Sequence, residues 1–274
     1  MNTKKILFIG AGNMGQAIID GLIRSKTVSQ DNISFYEPYI AMRDFVKNKF
    51  QIKSLETIDS TISQFNIIIL AVKPQVFKSF HEDDISLKLS QYSTKSQVIV
   101  SIMAGINIAK IGEFFKNSKE IIRVMPNTPA LIGKSMSAIA HSKEVSESNI
   151  ATVKAIFHSI GEVELVEEKL IDAVTGLSGS GPAFVLAFIE SLTQGGILSG
   201  LPKHIAEKLA IQTVAGTALM AQSSDKTVEE LRHMVTSPGG TTIQGMATLE
   251  ENGFRNSVIK AVYSAYTRSK ELSN

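Results

Sequence analysis

The chain has 274 residues, with 28 Lys or Arg against 26 Asp or Glu, a formal net charge of +2. At 43% hydrophobic and 20% charged it has the composition of a folded globular chain, and it has no basic block to bind nucleic acid or an anionic membrane. It has no Cys, which excludes disulfides, a thiolate nucleophile and Cys-ligated zinc or iron–sulfur sites.

The length suits one large domain or two modest ones. The apolar run Ile6–Ile9 is too short for a signal segment, which fits a cytoplasmic chain. Through the first half, β-rich runs alternate with helical patterns. The runs are Lys5–Ile9, Ile33–Tyr36, Ile67–Val72, Val98–Ile102 and Ile121–Val124. Ile18, Leu22 and Ile23 mark one helical stripe, and Phe45, Val46 and Phe50 another. Alternation of this kind predicts a parallel sheet built of βαβ units. Ile67–Leu70 is apolar without alternation, as befits a strand covered on both faces. Ser137–Ala140 and Val163–Val166 extend the sheet, with a crossover helix carrying Val153, Ile156 and Phe157 between them.

Beyond about Glu167 strand signals give way to helical ones. This divides the chain into an α/β domain over residues 1–167 and an all-α domain over residues 168–274. Gly181-Pro182 opens an apolar helix reaching Leu198. Glu190, Gln194, Gly195 and Gly196 interrupt it, so it reads as a buried helix and not a membrane span. The next helix starts near Pro202 and runs towards Gln222. Thr227 is the N-cap of a third, with Glu230 in the capping-box position. Two more follow Gly240 and Gly253.

Gly10-Ala11-Gly12-Asn13-Met14-Gly15 follows the first strand and opens the first helix, the context in which G-x-G-x-x-G binds a dinucleotide. Gly10 permits the tight turn, Gly12 a close approach of pyrophosphate, and Gly15 close helix–strand packing. The helix N-terminus offers free N–H groups to the anion. Glu37 ends the second strand, 22 residues beyond Gly15. A carboxylate there accepts hydrogen bonds from the adenosine ribose and repels a 2′-phosphate, which favours NADH over NADPH. The alternative is a solvated strand-end charge. Ala71-Val72-Lys73-Pro74 leaves the Ile67–Val72 strand at a carboxyl end, where Lys73 either meets the cofactor or is a surface lysine.

Two small-residue loops stand before helices in the second half, Gly176–Pro182 and Ser237-Pro238-Gly239-Gly240-Thr241-Thr242. Hydroxyls, glycines and helix N-termini can cradle a carboxylate, or can be plain N-caps and turns. These two loops, the glycine loop, Ala71–Pro74, Ser101–Ile106 and Arg123–Ala130 together resemble the pyrroline-5-carboxylate reductase family over essentially the whole chain, in order.

The resemblance implies an N-terminal Rossmann-type doubly wound sheet and a C-terminal all-α dimerisation domain. It implies reduction of 1-pyrroline-5-carboxylate to L-proline with NADH or NADPH, the last step of proline biosynthesis. It also implies self-association as a homodimer or a decamer of dimers. It assigns Thr242 a hydrogen bond donated towards the ring nitrogen, and it assigns the substrate carboxylate to the N–H groups of Gly240 and Thr241 with Ser237 nearby. The same resemblance places Ala104, Gly105 and the loop of Pro126, Asn127 and Thr128 at the nicotinamide end, and counts Lys73 beside them, with Thr242, as catalytic. No metal is called for: none of His81, His141, His158, His204 and His233 has ligand spacing to another, and a protonated imine is already electrophilic.

Two alternatives differ in class. A β-hydroxyacid dehydrogenase needs a Lys on its long interdomain helix, whereas Pro182–Leu198 has none and Lys203 is the first beyond it. A non-catalytic dinucleotide sensor would have no use for the Ser237–Thr242 motif.

Overall fold

The computed structural model describes residues 3–79 and 84–273, so His81 lies outside the described residues. Among these, β1 (Ile6–Ile9), β2 (Ile33–Tyr36), β3 (Lys53–Leu55), β4 (Ile67–Leu70), β5 (Val98–Ser101), β6 (Glu120–Met125), β7 (Ser135–His141) and β8 (Gly161–Leu165) form one sheet. The strand order is β3-β2-β1-β4-β5-β6-β7-β8, and every neighbouring pair is parallel except β6 and β7. Between the strands run α1 (Asn13–Arg24), α2 (Ile40–Phe50), α3 (Pro74–Ser79), α4 (Asp84–Tyr92), α5 (Ile108–Phe114) and α6 (Glu147–His158), with α7 (Ile171–Val174) after β8.

The central strands β1, β4 and β5 are buried on both faces because helices cover both. Ile6, Phe8, Ile67, Ile69 and Val100 pack with Ile18 and Leu22 of α1, Val46 of α2 and Phe157 of α6. Their neighbours Leu7, Ile9, Ile68, Leu70 and Ile99 pack with Phe77 of α3, Leu89 of α4 and Phe114 of α5. Each such side chain contributes about 1.5–3 kcal/mol when fully buried, so the uninterrupted Ile67–Leu70 run is the expected pattern for a doubly covered strand.

Some details depart from the sequence expectation. Phe45 is not on the buried stripe of α2; it turns outward, and the Lys49 ammonium lies 5.6 Å from its ring centroid. Strand β3 was not predicted, since it has three residues and Lys53 is exposed. Ala71, Val72 and Ile102 lie just beyond the ends of their strands. Strand β7 returns antiparallel to β6 because the connection Pro126–Lys134 holds only a 3₁₀ turn, Thr128–Ile132, too short for a crossover to a parallel neighbour.

The last strand ends at Leu165 and the chain is helical from Glu168 onward. Compactness divides it into one unit of Met1–Gly179 with Ala265–Asn274 and another of Ser180–Ser264. The second unit contains α8 (Gly181–Leu198), α9 (Lys203–Gln222), α10 (Val228–Met234), α11 (Thr241–Glu251) and the first half of α12 (Phe254–Ser273).

Thr227 caps α10 as its spacing predicts. Its hydroxyl accepts from the Glu230 N–H at 3.2 Å, and the Glu230 carboxylate accepts from the Thr227 N–H at 2.7 Å. The Glu230 carboxyl is held below its ordinary value, first by that backbone bond and then by the Thr227 hydroxyl. The cap is therefore fully formed above the ordinary carboxylate range and is lost as the pH falls through the lowered value. Thr227→Ala is expected to cost about 1 kcal/mol, read as a lower urea midpoint; an unchanged midpoint would show that the cap adds nothing to folding.

The buried-helix expectation for Ala183–Leu198 is not met within the chain. In α8 only Thr193 is buried, while Leu186 is 62% and Leu198 91% exposed. The helix is apolar over most of its surface and packs mainly on α9, with the Phe188 ring also meeting Phe254 at a centroid separation of 5.8 Å. Gly196 meets α9 so tightly that an added Cβ would stand 3.0 Å from the Ala206 Cβ. Those contacts leave much of the α8 surface open. An apolar groove of about 1140 Å³ lies there, lined by Phe184, Phe188, Leu192, Leu201, Leu249 and Phe254. By length and composition alone the helical run Glu168–Leu198 could cross a membrane.

Candidate active site

The switch in strand order decides where a ligand can sit. From β1 the chain steps outward to β2 and β3, then crosses back to place β4 on the other side of β1. The helices that follow β1 and β4 lie on opposite faces of the sheet, which opens a crevice at the carboxyl ends. Gly10 leaves β1 with φ +92°, a conformation L side chains rarely adopt, and its N–H donates to the Tyr36 carbonyl at 2.8 Å. A Cβ on Gly10 would stand 2.8 Å from the Ala71 carbonyl oxygen, so the glycine loop is pressed against the turn after β4. Gly15 is similarly tight, with the Gly10 carbonyl oxygen 3.1 Å from an added Cβ.

Gly12 is the opposite case. It is the N-cap of α1, no side chain caps that end, and an added Cβ would meet nothing within 4 Å. Uncapped N–H groups opening on free space fit a phosphate group. Asn13 is exposed at the start of α1, and Met14 packs on the core. The residues present therefore fit a dinucleotide pyrophosphate.

Glu37 is not a free strand-end charge. Its Oε2 accepts from the Ala11 N–H at 3.1 Å and its Oε1 from the Tyr39 N–H at 3.2 Å. The carboxylate is thus held against the glycine loop at the edge of the crevice. Gln16, buried behind the loop, donates to the Ala11 carbonyl at 2.9 Å and adds a second brace that the sequence did not single out.

The other loops at the carboxyl ends of the strands come to the same side. Ala71 donates to the Ile9 carbonyl at 2.8 Å, Val72 packs below the sheet, Lys73 is exposed, and Pro74 begins α3. Ala104 is half-buried, and Gly105 is buried with φ +70°. Pro126 is buried and Thr128 exposed. The Asn127 amide donates to the Ser178 carbonyl at 3.0 Å, and its Oδ1 accepts from the Met136 N–H at 2.9 Å. Asn127 is thus a brace between the loop after β6, strand β7 and the segment at Ser178.

That segment corrects one expectation. Gly176–Pro182 is not a loop before a helix. Thr175–Gly179 is a turn of π-helix following α7. Thr175 and Ser178 turn their hydroxyls back onto the Ile171 and Val174 carbonyls at 2.8 and 3.2 Å. These hydroxyls serve the preceding turn and are not an N-terminal nest.

The Ser237–Thr242 motif lies in the second unit. Gly240 is the N-cap of α11, again without a side-chain cap, and its N–H donates to the Ser237 carbonyl at 3.2 Å. A side chain at Gly240 would collide with the Ser237 hydroxyl. Thr241 and Thr242 are the first two helical residues, and both are exposed, as is Ser237. The motif thus offers hydroxyls and uncapped N–H groups at a helix end. His233 is exposed nearby in sequence. No group of three His, Cys, Asp or Glu among the described residues could hold a metal.

Residues 5–105 match the family described as NADP oxidoreductase, coenzyme F420-dependent, and residues 168–272 match pyrroline-5-carboxylate reductase dimerisation. The chain is 44% identical over 264 residues to pyrroline-5-carboxylate reductase of Synechocystis sp., covering 96% of each. It superposes on a pyrroline-5-carboxylate reductase from Coxiella burnetii with a TM-score of 0.89 at 34% identity, covering 100% of both chains. With the NADP-bound Plasmodium falciparum pyrroline carboxylate reductase the TM-score is 0.85 at 33% identity, again covering 100% of both. A likeness of that extent takes in both the glycine loop and the Ser237–Thr242 helix end, so the chain belongs to the pyrroline-5-carboxylate reductase family.

Proposed function

We propose that this chain reduces 1-pyrroline-5-carboxylate to L-proline, as the last step of proline biosynthesis, with NADH preferred over NADPH. The observation that carries this reading is the coexistence, in a member of this family, of a pressed glycine loop bearing Glu37 and a helix end at Gly240–Thr242 that no side chain caps. The bound nicotinamide supplies the hydride. The N–H groups at the start of α1 take the pyrophosphate, and Glu37 takes the adenosine ribose through its remaining acceptor positions. Ala104, Gly105 and the Pro126–Thr128 loop flank the reducing end, with Lys73 beside them.

The N–H groups of Gly240 and Thr241 hold the substrate carboxylate with Ser237, the Gly240 N–H exchanging its 3.2 Å bond to the Ser237 carbonyl for one to the substrate, and the Thr242 hydroxyl hydrogen-bonds the ring nitrogen. Addition of a hydride at the imine carbon and a proton at nitrogen gives a neutral amine, so no oxyanion has to be stabilised. Orientation supplies most of the rate, and the site can dispense with a His–Asp pair or a metal.

The exposed apolar flank of α8 and its groove support self-association as a homodimer, with a decamer of dimers as the larger assembly. Light scattering giving the mass of one chain would contradict both. A cytoplasmic location fits the absence of Cys.

The test is consumption of NADH and of NADPH with 1-pyrroline-5-carboxylate, side by side. Turnover faster with NADH is expected. Binding of NADH without consumption would replace the enzyme by a dinucleotide sensor.

A further inference from the structure

Arg123 is a charged side chain placed where a sheet has no evident need of one. It is the fourth residue of β6 and is 2% exposed. Its Nη1 lies 3.8 Å from Glu168 Oε1 and its Nη2 lies 3.9 Å from Asp172 Oδ1, while Nε and Nη2 have no hydrogen-bond partner. Burial pulls its pKa down from the ordinary arginine value, and Asp172 and then Glu168 oppose the fall. Desolvation offsets much of the attraction in such a cluster, so a cluster kept for stability alone is poorly explained.

The two carboxylates are each committed elsewhere. Glu168 Oε1 accepts from the Ile108 N–H at 2.6 Å, at the start of the helix that follows Ala104 and Gly105. Asp172 Oδ1 accepts from the Ser269 hydroxyl at 2.7 Å and the Ser273 hydroxyl at 3.0 Å, both in the last two turns of α12. In those turns Leu272 backs Gly105 so closely that an added Cβ would stand 3.1 Å from the Leu272 Cβ. The Lys110 ammonium of α5 also donates to the Ser273 carbonyl at 3.0 Å. Arg123 itself stands two residues before Met125 and the Pro126–Thr128 loop. Asp172 stands three residues before the π turn whose Ser178 carbonyl holds Asn127.

We propose that Asp172, held beside Arg123 by the Ser269 and Ser273 hydroxyls, is a positioning residue for hydride transfer: through it the last two turns of α12 fix the loops after β5 and β6 that flank the reducing end of the cofactor. The proposal rests on the reductase reading above. It assigns a task to the α12 end that neither the glycine loop nor the Ser237–Thr242 motif performs. The hydroxyls are the adjustable part, because they hold Asp172 and are not among the residues assigned above to cofactor or substrate.

The test is the full chain carrying Ser269→Ala and Ser273→Ala together, compared with the unaltered protein. Expected are a fall in kcat of about tenfold, for the loss of two hydrogen bonds to a carboxylate, a Kd for NADH within about twofold, and a larger isotope effect with NADH deuterated at the transferred position. Ser269→Thr, which keeps a hydroxyl, is expected to retain most of the rate. A purely structural role would lower the melting temperature and leave the isotope effect alone. That result, or an unchanged kcat, overturns the proposal. Should the double variant not fold, Ser273→Ala alone is read by the same isotope effect. Failure of the unaltered chain to turn over refutes the reductase reading and this proposal with it; turnover with insensitive variants refutes this proposal alone.

Discussion

Replacing Glu37 with serine will move the ratio of kcat/KM for NADH over NADPH by about two orders of magnitude towards NADPH. Hydrogen bonds to a charged acceptor contribute about 1.5–3 kcal/mol, and each 1.4 kcal/mol is a factor of ten. The carboxylate is pinned by the Ala11 and Tyr39 N–H groups at 3.1 and 3.2 Å. It therefore cannot swing away from a 2′-phosphate without giving up both bonds. Serine removes the charge and leaves a small hydroxyl in its place. Glu37→Gln separates the two tasks of the residue, since an amide oxygen still accepts from Ala11 but no longer repels phosphate. The Gln variant should accept NADPH while keeping the glycine loop in place. Side-by-side initial rates with both cofactors check this, and an unaltered ratio in the Ser variant would show that Glu37 braces the loop and does not read the ribose.

Thr242→Ala should lower kcat by about thirtyfold and leave the Kd for NADH within about twofold, the range expected for one hydrogen bond to a group whose charge changes in the reaction. Thr242 is exposed as the second residue of α11, and none of the helix's first N–H groups is capped by it. Its loss therefore costs the helix little, and the change in rate can be read as chemistry. Thr242→Ser, which keeps the hydroxyl, should recover most of the activity. Steady-state kinetics with 1-pyrroline-5-carboxylate, paired with a fluorescence titration of NADH, decide the matter. A rise in KM with kcat unchanged would move Thr242 from the reacting nitrogen to substrate binding.

The parts of the fold that were legible in the sequence are those whose causes lie close together along the chain. The glycine loop needs a strand before it and a helix after it, and all three fall within Ile6–Arg24. Thr227 and Glu230 cap α10 from three residues apart. Apolar runs without alternation announced strands covered on both faces. Glu37 was found by its offset from the glycines, and the fold then brought it within 3.1 Å of the Ala11 N–H, 26 residues away along the chain.

What only the tertiary structure decided depends on groups that local patterns cannot relate. Asp172 meets Ser269 and Ser273 across 97 and 101 residues of chain, so no spacing rule joins them. The π turn at Thr175–Gly179 read as a loop because glycines and hydroxyls favour turns, and the Asn127 amide that braces Ser178 lies 51 residues away. The return of β7 against β6 follows from a short connection, whose geometry outweighs the parallel pattern of its neighbours. The exposure of α8 is the plainest case. Its sequence specifies an apolar helix, but whether an apolar face is buried depends on what stands opposite, and within one chain α9 and Phe254 cover only part of it.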